Sequence, residues 1–296
     1  MSESRIQEII HPSRALGRDR KRCLVVSPPD ADERGPLPVC YFLHGWGGNA
    51  ESYLNHPGIR EAVLAAPWHT VFPESFRKWF INDHAGNRYE DYLVEELVPL
   101  IDERLGLASN PAMRAIGGFS MGGCAAFLAA ARHTDVFGSV FCHAGAFEAP
   151  RREGDPYAHL RDTGITLLMP TEADHISVWG PLDSEVRNEY DPYLVIKLNR
   201  PEGLRIYLDI GMDDFPRMIR MNQDFHHALT ATGLPHEYYE RSGAHDLNYV
   251  GAALPSSVEF LARVFSETSV PTTVQPGVLA EARAEAEEPV EAELVQ

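Results

Sequence analysis

The sequence predicts an α/β protein with a mostly parallel, doubly wound sheet flanked by helices and followed by a disordered tail. Short apolar runs alternate with amphipathic stretches, and strands separated by helices imply βαβ crossovers. From about Ser269 the chain is rich in Pro, Thr, Glu and Ala and has no aromatic residue. Such a segment buries too little apolar surface to offset the entropy of ordering. We therefore expect one domain over 1–268 and an acidic disordered tail over 269–296.

The predicted strands are short apolar runs bounded by turn-forming residues. They are Cys23–Ser27, Val39–Leu43, His69–Phe72, Ala112–Gly117, Phe137–His143, Leu204–Ile210 and His236–Glu240. The stretch Gly145–Pro192 is irregular and contains several prolines, with a candidate strand at Ile165–Met169. We interpret this stretch as a cap-like or loop insertion over the carboxyl edge of the sheet.

Four helices are predicted between or after these strands. Tyr89–Leu105 has apolar residues at helical spacing with acids on the other face, and Cys124–Arg132 is rich in Ala. Pro216–Thr232 has Pro in its first turn, where the ring is tolerated, and Gly233 follows its end. Pro255–Phe265 is expected to close the domain.

Composition limits the classes of partner and compartment. The 296 residues, 44% of them hydrophobic, suffice for one large core, and the net charge of −17 disfavours nucleic acid and membrane surfaces. No run approaches the roughly 18 apolar residues of a membrane span, and Met1–Arg22 has no secretory apolar region. The four cysteines lie in or beside apolar runs without C-x-x-C spacing, so we expect buried thiols and a cytoplasmic protein.

The segment Gly118–Gly122 has the pattern G-x-S-x-G, with Ser120 at its centre. A predicted strand precedes this segment and an Ala-rich helix follows it. The arrangement is typical of the nucleophile turn of the α/β-hydrolase fold, where the flanking glycines avoid collisions. The alternative is a Gly-rich phosphate-binding or packing turn. We predict that Ser120 is a nucleophile, which needs a general base and an orienting acid.

The base and the acid follow from chain order, which in this fold is Ser, acid, His. His245 lies on a loop after the last predicted strand and is the preferred base, with His175 as the second candidate. Asp213 and Asp214 both follow the preceding strand. Periodicity does not separate them, because either carboxylate could cap the next helix.

The Gly-rich segment His44–Gly48 follows an early strand. A tetrahedral intermediate needs two backbone N–H donors, and we assign them to Trp46 and Met121. His44 is expected to orient the loop. A phosphate-binding glycine loop is disfavoured, because G-x-G-x-x-G and a following Lys are absent.

These motifs resemble the family of esterases that includes esterase D, S-formylglutathione hydrolases and tributyrin esterases. The resemblance runs from about Val39 to Phe265, and its most specific stretches are Phe42–Asn49, Gly117–Gly123, Gly211–Phe215 and Gly243–Asp246. It implies an α/β-hydrolase fold and assigns the acid to Asp214, the Asp of the Gly-x-x-Asp motif. Ala144-Gly145, where Ser-Gly is common, and the Glu-rich tail depart from the family pattern.

The expected function is therefore a serine hydrolase that cleaves a small-molecule carboxylic ester or thioester through an acyl-enzyme. His44, Gly45, Trp79, Phe119 and Trp179 are expected to border the substrate. No metal or cofactor is implied, and homo-oligomerisation stays open. The alternatives are an acyltransferase that uses the same acyl-enzyme and a non-catalytic binding module.

Overall fold

The computed structural model describes residues 5–17, 19–107, 110–158 and 169–268. The strands are β1 (Ile6–Pro12), β2 (Arg20–Val26), β3 (Val39–Leu43), β4 (His69–Pro73), β5 (Arg114–Phe119), β6 (Ser139–His143), β7 (Arg205–Gly211) and β8 (Glu237–Arg241). They form one eight-stranded sheet in the order β1-β2-β4-β3-β5-β6-β7-β8. β2 pairs antiparallel with β1 and β4, and all other neighbours are parallel. The predicted mostly parallel sheet is confirmed.

Helices cover both faces of this sheet. They are α1 (Pro57–Ala65), α2 (Tyr89–Asp91), α3 (Val98–Leu105), α4 (Met121–Arg132), α5 (Glu172–Trp179), α6 (Glu185–Glu189), α7 (Pro192–Leu198), α8 (Pro216–Thr232) and α9 (Leu247–Thr268). Successive residues of β3 enter opposite cores: Tyr41 and Leu43 belong to one apolar cluster, and Cys40 and Phe42 to the other. A strand buried on both faces therefore appears in the sequence as a continuous apolar run. All four cysteines are buried and free of disulfides, as predicted.

Strand β1 was not predicted from the sequence. It pairs only with β2, at the edge of the sheet, and its residues alternate between exposed and buried positions. The strand is hidden in the sequence because Ile10 is exposed and His11 is buried, so apolar residues do not alternate with polar ones along it. Pairing with β2 holds β1 in place. A local sequence pattern does not show which strand will be the partner.

The predicted helix Tyr89–Leu105 is continuous but not uniformly α-helical. A π-helical turn, Tyr92–Leu97, separates α2 from α3. Pro99 lies in the first turn of α3. Because proline lacks an N–H and its ring displaces the carbonyl four residues earlier, the widened turn accommodates it. Within that turn, Glu96 Oε1 accepts hydrogen bonds from the N–H groups of Arg14 and Ala15, at 3.0 Å each.

Helix α9 begins at Leu247, eight residues before the predicted start at Pro255. The prediction began this helix at Pro255, and proline is unfavourable inside a helix. In the structure Pro255 lies in the interior of α9. Burial of Tyr249 and Val250 against the sheet, at 3% and 0% exposure, holds the extra N-terminal turns in place.

The stretch Gly145–Pro192 contains more helix, in its described parts, than predicted. It contains α5 and α6, and α5 begins with a capping box in which Thr171 and Asp174 bond each other's backbone N–H groups. The candidate strand Ile165–Met169 falls mostly outside the described residues, and Met169 itself is not in a strand. The tail 269–296 also lies outside them, so the domain boundary and the disorder of the tail stay predictions.

Candidate active site

Ser120 lies on a sharp turn between β5 and α4. Its backbone angles are φ 56° and ψ −116°, a strained combination for a residue with a side chain. The turn is possible because glycine lies two residues before and two residues after Ser120. A Cβ on Gly118 would lie 2.3 Å from the Gly122 carbonyl carbon, and one on Gly122 would lie 2.1 Å from the Leu43 oxygen. The Ser120 N–H donates to the His143 carbonyl at 2.9 Å, which fixes the turn to the end of β6.

His245 and Asp214 complete a hydrogen-bonded chain with this serine. His245 Nε2 lies 2.8 Å from Ser120 Oγ, and His245 Nδ1 lies 2.7 Å from Asp214 Oδ2. Asp214 is 6% exposed, and its Oδ1 accepts the Phe215 N–H at 2.6 Å. The ring of Phe119 lies 4.6 Å from the imidazole, between centroids, and limits its rotation. These three residues come from loops after β5, β7 and β8.

The neighbouring carboxylate, Asp213, has a different set of contacts. Its Oδ2 accepts the Gly243 N–H at 2.8 Å, and its own N–H donates to the Gly243 carbonyl at 2.9 Å. Asp213 therefore ties the loop after β7 to the loop that carries His245. The hydrogen bond of His245 Nδ1 is accepted by Asp214 instead.

The amides expected to bind an oxyanion belong to Trp46 and Met121. In the described part of the chain, neither the Trp46 N–H nor the Met121 N–H donates to a protein acceptor. Met121 is the first residue of α4, where N–H groups lack helical partners. The Trp46 loop is held beside it, because the Gly47 N–H donates to the Phe76 carbonyl at 2.9 Å. Two free donors next to a nucleophile are the requirement for stabilising a tetrahedral intermediate.

A cavity of about 510 Å³ opens onto Ser120 and His245. Most of its wall is apolar. The apolar side chains are Trp46, Trp79, Phe119, Met121, Ala146, Ala149, Met169, Pro170, Phe215, Met218, Met221 and Leu247. The polar part includes Glu148, Arg152, Arg217 and His175. Cavities of this size and composition hold small organic molecules.

Three of the five residues expected to border the substrate line this cavity: Gly45, Trp79 and Phe119. The structure differs from the expectation for the other two. His44 is 1% exposed, and its Nε2 accepts the Ser75 N–H at 3.0 Å while Nδ1 donates to the Gly45 carbonyl at 2.7 Å. It orients the loop from behind. Trp179 is fully buried behind Trp79, with its ring centroid 5.1 Å away.

His175, the second candidate for the base, lies in the cavity wall but is not bonded to Ser120. It is 5% exposed, and its buried Nε2 has no hydrogen-bond partner in the described residues. Burial, with Arg152, Arg187 and Arg217 nearby, lowers the pKa of His175 to about 3. A base with so little proton affinity, away from the nucleophile, does not match the role.

The charged residues of the cavity were not predicted. Arg217 lies 3.6 Å from Glu148 across the wall, and the Arg152 guanidinium lies 5.1 Å from the ring centre of Tyr157. Arg217 follows Pro216 at the start of a predicted helix, just after Asp214. This closeness to the predicted acid could have indicated that Arg217 lies in the site. Glu148 and Arg152 belong to the irregular stretch, where no periodic pattern identifies them.

The described ranges contain no group of three or more His, Cys, Asp or Glu side chains arranged to hold a metal ion. Among the helices in those ranges, none combines the length and apolarity needed to cross a bilayer.

A family of esterases, described as "Putative esterase", has a model that matches residues 13–261. The chain belongs to this family, and its eight-stranded sheet with flanking helices is the α/β-hydrolase fold. The predicted family and the predicted α/β-hydrolase fold are confirmed.

The relatives include Esterase Rv1288 of Mycobacterium tuberculosis (strain ATCC 25618 / H37Rv), 27% identical over 246 residues, which cover 75% of this chain and 51% of the relative. The chain thus spans about half the length of that relative. Putative esterase NocK of Nocardia uniformis subsp. tsuyamanensis is 33% identical over 146 residues, which cover 47% of this chain and 42% of NocK.

Two solved structures share the fold. The S-formylglutathione hydrolase FrmB of Staphylococcus aureus matches with a TM-score of 0.71 at 20% identity. The match covers 86% of this chain and 98% of the FrmB chain. A ferulic acid esterase has a TM-score of 0.69 at 20% identity, with 88% and 98% covered. At such identities the likeness concerns the fold.

Proposed function

We propose that this protein hydrolyses a small-molecule carboxylic ester or thioester through an acyl-enzyme on Ser120. One observation carries the proposal: a single imidazole, that of His245, lies 2.8 Å from Ser120 Oγ and 2.7 Å from Asp214 Oδ2. A serine hydroxyl is a poor nucleophile unless a base takes its proton. The carboxylate of Asp214 would fix the imidazole tautomer and stabilise the imidazolium that forms.

In the acylation step, Ser120 Oγ attacks the ester carbonyl carbon while His245 Nε2 takes the hydroxyl proton. The carbonyl oxygen becomes an anion, which the free N–H groups of Trp46 and Met121 would stabilise. When the tetrahedral intermediate collapses, the bond to the leaving alcohol or thiol breaks. His245 returns its proton to that leaving group, and the acyl group remains on Ser120.

In the deacylation step, water replaces the alcohol. His245 takes a proton from the water as the oxygen attacks the acyl carbon, and the same two amides would hold the second oxyanion. Collapse releases the carboxylic acid and returns the proton to Ser120. An acyltransferase would differ only in that an alcohol or another acceptor enters instead of water.

The cavity wall supports a substrate class. Its aromatic and methionine side chains favour an ester with a bulky apolar acyl or alcohol group, which would remove their surface from water. A one-carbon acyl group would leave most of the 510 Å³ unfilled. An aromatic or medium-chain group matches this space better.

The test combines a covalent probe with a kinetic burst. A fluorophosphonate probe should label the native protein once, and p-nitrophenyl butyrate should release one equivalent of nitrophenol rapidly if deacylation is slow. Ser120→Ala should not be labelled, and its kcat should be about 10⁶-fold lower than that of wild type. Ser266→Ala, an exposed serine at the end of α9, is the matched control and should behave as wild type.

Retained labelling and hydrolysis in Ser120→Ala would overturn the proposal. An unlabelled, inactive wild-type protein would instead favour a binding module. Product analysis with added alcohols separates hydrolysis from transfer, since a transferase would form the new ester in preference to the free acid.

A further inference from the structure

A second buried polar cluster lies beneath the candidate active site and has no role in the chemistry described above. His143 and Asp209 are each 0% exposed, and His143 Nδ1 lies 2.9 Å from both carboxylate oxygens. The Tyr249 hydroxyl donates to Asp209 Oδ1 at 2.6 Å, and the Tyr207 hydroxyl donates to Oδ2 at 2.9 Å. We call these four residues the Asp209 network.

The polar groups of the Asp209 network are hydrogen-bonded, but their burial costs free energy. A buried carboxylate is strongly destabilising unless it is paired and hydrogen-bonded. Burial, together with the Asp209 carboxylate, raises the pKa of the Tyr249 hydroxyl far above its ordinary value, so the hydroxyl stays a donor. Apolar side chains of similar volume often give equal stability, so stability alone does not account for the network.

The network does not form a second nucleophilic site. Ser257 Oγ lies 3.2 Å from His143 Nε2, so Ser257, His143 and Asp209 follow the order of a serine–histidine–aspartate chain. All three are 0% exposed, and Ser257 Oγ donates to the Leu254 carbonyl at 3.0 Å within α9. No substrate can reach that hydroxyl.

The main chain of the network supports the nucleophile turn. The carbonyl of His143 accepts the Ser120 N–H at 2.9 Å, and the carbonyl of Asp209 accepts the Ala144 N–H at 2.8 Å. Ala144 itself has a left-handed backbone, with φ 46°. The pairing of the His143 and Asp209 side chains therefore fixes the ends of β6 and β7 against each other directly below Ser120.

The ring of Tyr249 supports the loops of the base and the acid. Tyr249 lies four residues after His245, in the first turn of α9. A Cβ on Gly243 would lie 2.6 Å from Tyr249 Cδ2, and one on Gly211 would lie 2.2 Å from the Gly243 carbonyl oxygen. The loops that carry His245 and Asp214 thus press against each other and against this ring, whose hydroxyl is anchored on Asp209.

We propose that the Asp209 network is a positioning device that sets the distance between Ser120 and His245, with Tyr249 linking the buried carboxylate to the His245 loop. The inference rests on the proposed function, because its effect is on the acylation step. Positioning errors of about 1 Å can cost about 100-fold in rate even when the reacting groups are intact.

Tyr249→Phe is the primary variant, because it removes one hydroxyl and keeps the ring against Gly243. Tyr190→Phe is the matched control: Tyr190 is also fully buried and donates its hydroxyl to a carboxylate, that of Glu90, which is not part of the Asp209 network. His143→Gln is the second variant and keeps a side-chain amide near Asp209.

We expect kcat and the rate constant of fluorophosphonate labelling to fall together by about 10- to 100-fold in Tyr249→Phe. KM and the inhibition constant of an unreactive ester analogue should change less than threefold. At equal loss of Tm, kcat and the labelling rate constant should both fall more in Tyr249→Phe than in Tyr190→Phe. His143→Gln should show the same split between kcat and KM.

Wild-type kcat in Tyr249→Phe, or equal losses in Tyr249→Phe and Tyr190→Phe at equal Tm, would overturn the positioning role. Ser120→Ala in the same assay keeps the two ideas apart. If Ser120→Ala stays active, the proposed function fails; if only Ser120→Ala is inactive and Tyr249→Phe is normal, the network alone fails.

Discussion

Gly122 approaches the carbonyl oxygen of Leu43 so closely that a methyl group on Gly122 would lie 2.1 Å from that oxygen. The contact joins the first turn of α4 to the end of β3. It therefore links the helix that follows Ser120 to the strand that leads into the Trp46 loop. Because the opposing atom is backbone, no side-chain rotation can relieve the overlap.

Gly122→Ala should displace the nucleophile turn from the oxyanion loop. We expect kcat to fall by about 100-fold or more and Tm to fall as well, since a shift of about 1 Å has effects of this size. Gly58→Ala is the control: Gly58 lies in α1, a Cβ there would be 3.6 Å from the nearest atom, and alanine favours helix. Its activity should equal that of wild type. A Gly122→Ala protein with full activity would contradict the geometry of the turn.

Asp214→Asn and Asp213→Asn should separate the two adjacent carboxylates. Asp214 bonds the imidazole of His245, so its conversion to an amide should lower kcat by about 10⁴-fold, the loss typical of a triad carboxylate. The Asp213 carboxylate accepts the Gly243 N–H, which an amide oxygen can also accept. Asp213→Asn should stay within about tenfold of wild type. The reverse order of losses in steady-state kinetics would assign the acid to Asp213.

These two residues also show how far sequence reasoning reaches. Chain order and the G-x-S-x-G pattern indicated Ser120 and His245, because both depend on local turn chemistry. Adjacent Asp213 and Asp214 have the same local environment in the sequence. What separates them is the direction in which each side chain leaves the loop, and this direction is set by contacts with Gly243 and His245, some thirty residues away.

The cavity shows the opposite limit. Phe119 and Trp79 were predicted to border the substrate, Trp79 through the resemblance to the esterase family, and both line the cavity. Trp179 was also predicted, but it packs behind Trp79, because α5 turns its buried face toward the core. Arg152 enters the wall from a stretch without hydrophobic periodicity. Its location depends on how that stretch packs over the sheet, which local patterns do not encode.

The apolar cavity predicts a preference for longer acyl chains. Each methylene removed from water contributes about 0.8 kcal/mol, so kcat/KM for p-nitrophenyl butyrate should exceed that for the acetate by about tenfold. Ala149 lines the cavity, and Ala149→Phe should remove the preference while leaving acetate hydrolysis within about threefold. Equal kcat/KM values across a series of acyl lengths would show that the acyl chain does not enter this cavity.

Two buried histidines predict a loss of stability in mild acid. Burial lowers the pKa of His44 from 6.5 to about 4 and that of His175 to about 3. In the unfolded chain both titrate near 6.5, so below that pH the unfolded state binds protons that the folded state does not. The free energy of unfolding therefore has its full value above pH 6.5. It declines as the pH falls below about 6.5, by about 1.4 kcal/mol per pH unit for each histidine.

The free energy of unfolding, measured by urea denaturation between pH 6.5 and 5, should therefore fall steeply, before most carboxylates begin to titrate. His44→Asn should reduce that slope by about 1.4 kcal/mol per pH unit, because one of the two protons is lost from the linkage. Ile59→Val, at a fully buried position, is the control and should lower stability by about 1 kcal/mol without changing the slope. A slope that is the same in wild type and His44→Asn would mean that the His44 ring takes up its proton equally in both states, which its bond from the Ser75 N–H opposes.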